Sequence, residues 1–152
     1  MPSLPRLLRY ILLAASLAVG PQGPALAVEG GGLPTGQWLT EDGSGVIEIR
    51  PCGPSLCGRI IGMALDGPEE PVPRDVHGRS QCGLQILEMR ADEGKWRGRI
   101  TNPRDGAAWR AEMWLGEDGS LRLRGYLGIP LFGQTQVWTP FRGRILAECR
   151  MA

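Results

Sequence analysis

The sequence is poor in the residues and motifs on which many catalytic and nucleic-acid-binding sites depend. Lys95 is the only lysine and His77 the only histidine, and 17 basic residues stand against 16 acidic ones. This balance gives no electrostatic reason to expect nucleic acid or an acidic membrane as a partner. The chain also has no phosphate-binding glycine loop and no dinucleotide fingerprint. We therefore expect no cofactor.

The chain also lacks an apolar run long enough to cross a membrane. Arg6 and Arg9 precede an apolar core at residues 12–19, and an Ala-Leu-Ala sequence ends at Ala27. Spanning a bilayer takes about 20 apolar residues, whereas this order of segments is typical of a secretory signal peptide. We predict a signal peptide at residues 1–27, cleavage before Val28, and an exported, periplasmic protein without a stable membrane anchor.

Four cysteines remain in the predicted exported chain, and they favour disulfides. Of the three pairings, we favour Cys52–Cys57, which flanks a Gly-Pro-Ser turn, together with Cys82–Cys149, which ties the end of the chain to its middle. The alternative use is a zinc site. Neither a CxxC nor an HxxxH motif accompanies the cysteines, so we predict no metal.

Short apolar runs separated by turn residues dominate the rest of the chain. Ile47 and Ile49 alternate with Glu48 and Arg50, the period of two that a half-buried strand requires. A helical period appears only in the signal segment and in residues 145–151. We predict eight strands, at residues 38–40, 46–50, 59–63, 84–89, 95–101, 109–115, 121–126 and 134–139.

Eight short strands joined by tight turns predict an all-β fold. A small antiparallel, up-and-down eight-stranded barrel removes the exposed sheet edges. A two-sheet sandwich is the alternative. The predicted organisation is a flexible leader at 28–34, one barrel domain at 35–142 and a C-terminal tail at 143–152. We expect a monomer.

Candidates for catalysis are few. His77 lies in a proline-rich loop at residues 66–79, and a triad with Asp75 and Ser80 would lack the turn that presents a nucleophile. The carboxylates Glu48 and Asp105 are weak candidates for acid–base chemistry. Glu48 and Glu112 lie in the middle of strands and could act only if they face the interior; if they face outward, they are ordinary surface groups.

Arginines and tryptophans offer a second kind of site. Arginines at alternate positions of three neighbouring strands form either an anion-binding stripe or a solvent-facing wall: Arg97, Arg99, Arg110, Arg122 and Arg124. Five tryptophans are available to line a ligand pocket or to fill a small core. The proposed ligand-binding residues are Trp38, Glu48, Trp109 and Arg142.

Gly36-Gln37-Trp38 resembles the G-x-W signature of lipocalin-like barrels, in which the tryptophan closes the barrel floor under an arginine. Arg142 is the candidate for that arginine. The chain more closely resembles the bacterial exported family catalogued as domain of unknown function 2147, which implies a lipocalin-like β-barrel. Pro140 occupies the position of that family's usual arginine, and the central loop is shorter here. The segments that carry the resemblance are residues 36–40, 45–50, 52–60, 82–84, 98–106, 121–126 and 134–139.

These observations predict an exported barrel that binds a small apolar or amphipathic ligand or an envelope partner. Two alternatives belong to other classes. One is a hydrolase that uses carboxylates such as Glu48 or Asp105. The other is a structural or stress-related envelope protein without a ligand. An interior cavity with a polar anchor distinguishes the binding protein from a barrel whose interior is filled.

Overall fold

Eight antiparallel strands form a closed barrel in the computed structural model, which describes residues 32–152. The sandwich alternative is therefore wrong, and the barrel prediction is confirmed. The predicted signal peptide and most of the predicted leader lie outside the described residues. The strands are β1 (Gly36–Leu39), β2 (Gly45–Cys52), β3 (Ser55–Met63), β4 (Gln85–Asp92), β5 (Lys95–Thr101), β6 (Ala108–Leu115), β7 (Leu121–Tyr126) and β8 (Gln134–Pro140).

The topology is up-and-down, since each strand pairs with the next one in the chain. Closure depends on β1, which also pairs with β8. This seam contains only two residue pairs, Trp38 with Pro140 and Leu39 with Thr139. β1 has four residues and β8 has seven, and residues 134–138 of β8 extend beyond the end of β1.

The barrel interior is the hydrophobic core. Ile47 and Ile49 are buried on one side of β2, as their alternation predicts, and Glu48 faces the other side. The residues that pack together inside include Trp38, Ile49, Leu87, Met89, Ala111, Met113, Leu121, Leu123 and Trp138. At this strand number the interior is just wide enough to be filled by side chains or to hold one small ligand.

One outward-facing residue of β2 is fully buried. Val46 points to the outside, as its alternation with Ile47 requires, and it lies just before a shift in the β2–β3 register. Its pairing partner is Gly62, and a side chain at Gly62 would run into Ile145 and Met151. The C-terminal tail therefore covers this part of the outer wall.

The tail is held by one of two disulfides. Cys82 pairs with Cys149 and Cys52 with Cys57, the connectivity that the sequence favours, and none of the four sulfurs is left for a metal. The helical period at residues 145–151 does not produce an α-helix. Ile145 pairs instead with Met151 in an antiparallel bridge around a three-residue 3-10 turn, and the backbone N–H of Met151 donates to the carbonyl of Met63 at the end of β3.

The proline-rich loop between β3 and β4 folds around Asp75. The buried carboxylate accepts hydrogen bonds from the backbone N–H groups of His77 and Arg79 and pairs with the Arg79 guanidinium at 2.7 Å. The backbone N–H of Val76 donates to Pro103, which fixes the loop to the β5–β6 turn. Within residues 32–152, no helix is long and apolar enough to cross a membrane.

Candidate ligand-binding cavity

One end of the barrel is plugged by aromatic side chains. Trp38 is buried there, and its indole N–H donates to the carbonyl of Pro34 at 3.1 Å. Pro34 is itself fully buried, so the chain just before β1 closes this end. Trp138, opposite Leu121 on the neighbouring strand, fills the adjacent space. Buried side chains therefore occupy this end of the interior.

The other end opens into a cavity of about 600 Å³. The turn after β1, the β5–β6 turn and the β7–β8 connection all reach its rim. Its size lies within the range of small-molecule sites, about 300–1,000 Å³. The apolar part of its lining comes from Ile86, Ile100, Trp109, Leu123 and Phe132.

Polar side chains complete the lining of this cavity. Gln134 and Gln136 project from the part of β8 that extends beyond β1, and Asn102 comes from the β5–β6 turn. Gln136 accepts a hydrogen bond from the Trp138 indole at 2.8 Å, which fixes its amide. Glu41 accepts from the backbone N–H of Val137 at 2.6 Å and so continues the β1–β8 seam after β1 has ended. The arrangement offers amide donors and acceptors beside an apolar wall.

A second depression of about 450 Å³ adjoins the cavity and shares Asn102, Pro103 and Gln136 with it. Two carboxylates, Asp42 and Glu70, line it. Each is bound to the backbone: Asp42 accepts from Ser44, and Glu70 accepts from the N–H of Asp66. Hydrogen bonds from the Ser44 backbone and the Thr40 hydroxyl hold the pKa of Asp42 below its ordinary value. Asp42 is therefore ionised at neutral pH and is unsuited to act as a general acid.

Two of the four proposed ligand-binding residues lie inside the barrel, at opposite ends. Trp109 faces the cavity from the start of β6 and is 40% exposed. Trp38 lies in the plugged end, in the floor position that the G-x-W resemblance implies. The structure thus places only Trp109 at the open cavity.

The other proposed site residues lie away from the cavity. Glu48 faces the outside of β2 and pairs with Arg50 at 2.7 Å. Asp105 accepts from the N–H of Ala107 and from Asn102, which stabilises the β5–β6 turn. Arg142 is exposed. The hydrogen bond of the Trp38 indole goes to the carbonyl of Pro34, not to an arginine. The structure does not bring Glu48 and Asp105 together.

Glu112 also faces outward, yet its side chain is buried. Arg97 donates to it at 3.0 Å and Lys95 at 3.4 Å, and Lys95 also lies 4.6 Å above the Trp114 ring. Burial opposes ionisation, but the bonds from Arg97 and Lys95 outweigh it and hold the pKa of Glu112 below its ordinary value of 4.5. The predicted arginine stripe lies on this outer wall, where Arg97 and Arg122 pair with acidic neighbours.

Sequence reasoning missed most of the cavity lining. Glu41, Gln134, Gln136 and Phe132 carry no motif, and their proximity depends on how β8 passes the end of β1. One available signal was the run Leu-Gly-Ile-Pro-Leu-Phe-Gly at residues 127–133, where apolar residues stand in a segment that the turn residues predict to be a loop.

A closed eight-stranded barrel with a plugged floor and a cavity at the opposite end is lipocalin-like. A solved structure supports this class. HP1028 from the human pathogen Helicobacter pylori, described as belonging to the lipocalin family, superposes with a TM-score of 0.58. The sequences are 16% identical, and the match covers 71% of this chain and 82% of that one, so the likeness shows the fold alone.

The family itself follows from the sequence of the barrel. The model for DUF2147, described as an uncharacterized protein conserved in bacteria, matches residues 36–140. The chain belongs to this family, and the resemblance noted from its motifs is confirmed. The comparison with curated proteins gives no match.

Proposed function

We propose that this protein is an exported binding protein that holds one small amphipathic molecule in the open end of its barrel. The observation that carries the proposal is the cavity of about 600 Å³, in which apolar side chains face side-chain amides. Apolar walls supply affinity through burial, and a few polar groups fix orientation. Within residues 32–152, no arginine or lysine lines this cavity, so the polar end of the ligand is expected to be uncharged or cationic.

The lining supports binding over hydrolysis. Glu41 is the only carboxylate at the cavity among the residues described, and it is committed to the backbone of Val137. A glycosidase-type mechanism needs two carboxylates on either side of the reacting bond. Glu48 and Asp105 lie elsewhere. An open half of the interior likewise favours a binding role over a purely structural one.

Titration with an uncharged, mostly apolar fluorescent dye tests the proposal. N-phenyl-1-naphthylamine is expected to bind with one equivalent per chain and to show enhanced emission. Trp109→Ala removes an inward aromatic and is expected to weaken binding about tenfold, which corresponds to about 1.4 kcal/mol. Trp114→Ala removes a tryptophan from the outer face of the same strand and should leave the affinity unchanged.

A barrel without the proposed site would behave differently. Gly125 faces the cavity, and the space where its side chain would be is open, so Gly125→Phe should fill the cavity without disturbing the strand pairing. If Gly125→Phe and Trp109→Ala both bind the probe as the unmodified protein does, the cavity is not a ligand site.

Export is part of the proposal and rests on the two disulfides together with the predicted signal segment. Intact-mass measurement of the protein from a periplasmic fraction is expected to show a chain that begins at Val28 with no free thiol. A cytoplasmic protein that retains residues 1–27 would contradict it.

A further inference from the structure

The connection between β7 and β8, residues 127–133, carries an unusual amount of exposed apolar surface. Leu131 and Phe132 are 74% and 78% exposed, and Leu127 and Ile129 are more than half exposed. The segment contains no charged residue. Four large apolar side chains on one short loop are more than scattered surface residues, and such patches commonly mark interaction sites. We call residues 127–133 the apolar loop.

Arg124 holds this loop in position. Its guanidinium donates to the carbonyls of Pro130 and Leu131 and to the Thr135 hydroxyl. These bonds fix the short 3-10 turn of Pro130–Phe132 on the end of β7, and they leave Leu131 and Phe132 largely exposed. Arg124 has no carboxylate within ion-pair distance among the residues described, so its positive charge lies directly beneath the apolar loop.

Two further arginines lie beside the loop. Arg99 and Arg110 are exposed and directly opposite each other on β5 and β6. They line a surface groove together with Leu127, Gly128 and Trp109. Within residues 32–152 neither forms an ion pair, although the exposed Glu88 lies opposite Arg99 on β4. Glu112 binds Arg97 and Lys95 instead. Arginines placed side by side raise the local positive potential, which attracts an anionic partner.

We propose that the apolar loop docks onto the surface of an anionic phospholipid bilayer, with Leu127, Leu131 and Phe132 inserted and Arg99, Arg110 and Arg124 facing the phosphates. Apolar insertion and electrostatic attraction to anionic lipids are the two components of peripheral membrane binding. Trp109, half exposed beside the arginines, adds an aromatic ring of the kind enriched at membrane interfaces. The near-neutral charge of the whole chain conceals this local arrangement.

Docking has a consequence for the cavity. Phe132 belongs both to the apolar loop and to the cavity lining, and Trp109 lies between the cavity and the arginine groove. A docked protein therefore opens its cavity toward the bilayer. The docking itself needs no bound ligand, so it goes beyond the proposed function and can fail or succeed separately from it.

Co-sedimentation of the full chain with vesicles tests the proposal. Vesicles of phosphatidylglycerol and phosphatidylcholine in equal parts are expected to retain the protein, and pure phosphatidylcholine vesicles should retain it about tenfold less. Leu127→Ser/Leu131→Ser removes apolar surface from the inserted loop and is expected to weaken binding about tenfold. The loss is no larger because each leucine would be only partly buried in the bilayer. Arg99→Gln/Arg110→Gln should weaken it similarly and reduce its dependence on salt.

Leu146→Ser is the matched control, because Leu146 is an exposed leucine in the C-terminal tail. It should bind vesicles as the unmodified protein does. Binding of N-phenyl-1-naphthylamine should persist in the Leu127→Ser/Leu131→Ser variant, since neither residue lines the cavity.

Three results would overturn the inference. The first is equal retention by anionic and neutral vesicles, and the second is equal retention of the loop variant and the control. The third is a protein that does not bind vesicles and sediments as a dimer, with the Leu127→Ser/Leu131→Ser variant sedimenting as a monomer. That outcome would assign the loop to a second copy of the chain.

Discussion

Glu112 faces outward and yet is buried, and its charge stabilises the folded structure. It lies between Arg97 and Arg124 on the neighbouring strands, and only 5% of its surface is exposed. Removing its charge leaves Arg97 and Lys95 without their shared partner. Glu112→Gln is therefore expected to lower the free energy of unfolding by about 1–2 kcal/mol in urea denaturation at pH 7.

Glu48→Gln is the comparison for this prediction. Glu48 also lies mid-strand and faces outward, but its partner Arg50 is largely exposed, so the expected change is below about 0.5 kcal/mol. Equal losses in the two variants would show that burial of Glu112 has no energetic consequence.

The pH dependence of the Glu112 effect has a definite sign. The folded-state pKa of Glu112 is lowered, so its stabilising contribution is fully present above its unfolded-state pKa, near 4.5. The contribution disappears as the pH falls through the folded-state value. We expect the difference between the protein and Glu112→Gln to be constant from pH 6 to 8 and to shrink below pH 4.5, as measured by urea denaturation at each pH.

The sequence predicts which face of the sheet each of these strand side chains points to, but not whether the side chain is buried. Alternation placed Ile47 inside and Glu48 outside because neighbouring positions of a strand point to opposite faces. Whether an outward residue such as Glu112 is buried depends on the lengths of the side chains across the strand. That depends on register, which the turns and bulges set and which one sequence does not reveal.

Among the elements, the pairing of β4 with β5 depends on a residue without a side chain. Gly98 lies opposite Met89, and a Cβ there would overlap the carbonyl of Glu88. Backbone cannot yield as a flexible side chain does. Gly98→Ala is expected to lower the free energy of unfolding by more than about 2 kcal/mol, as measured by thermal or urea denaturation, or to prevent folding.

Gly125→Ala provides the control for this substitution. Gly125 also faces inward, two strands away, but no atom lies within 4 Å of its would-be Cβ. Gly125→Ala should change the free energy of unfolding by less than about 1 kcal/mol in either direction. A similar cost at both positions would mean that strand propensity, rather than the Glu88 carbonyl, decides the effect.

Element positions were predictable where the pattern is local. Period-two alternation and glycine turns located all eight strands, although β3 begins four residues earlier than predicted because the Cys52–Cys57 turn is itself part of the hairpin. The tail was not predictable in the same way. Residues 145–151 suggest a helical period, yet the positions of Ile145 and Met151 are set by contact with Gly62 and Met63, distant in the sequence.

At the scale of the whole molecule, the two disulfides make unequal contributions. Cys82 and Cys149 are 67 residues apart, whereas Cys52 and Cys57 are five apart. Loop-closure entropy gives about 4 kcal/mol for the long link and about 2 kcal/mol for the short one. Cys82→Ser/Cys149→Ser is expected to lower the thermal midpoint more than Cys52→Ser/Cys57→Ser, as followed by circular dichroism.

The opposite order would contradict this prediction. It would mean that the tail contributes little once the barrel has formed and that the Cys52–Cys57 turn is what aligns β2 with β3. A reduced, unmodified sample should match the sum of the two variants if the disulfides act independently.

The barrel as a whole was predictable, whereas its cavity was not. Eight strands with exposed edges favour closure on general grounds. The cavity at the open end depends on the difference in length between β1 and β8 and on the position of the apolar loop. Neither leaves a periodic signal in the sequence.

The short seam between β1 and β8 also determines when the fold becomes complete. It joins Trp38 to Pro140, so the ring cannot close until nearly the entire polypeptide is available. Contacts this distant along the chain form slowly. Until then the meander is an open sheet with two unpaired edges, each a template for pairing with another chain. A product truncated before residue 139 would keep both edges permanently, and we expect it to aggregate rather than to persist as a shortened barrel.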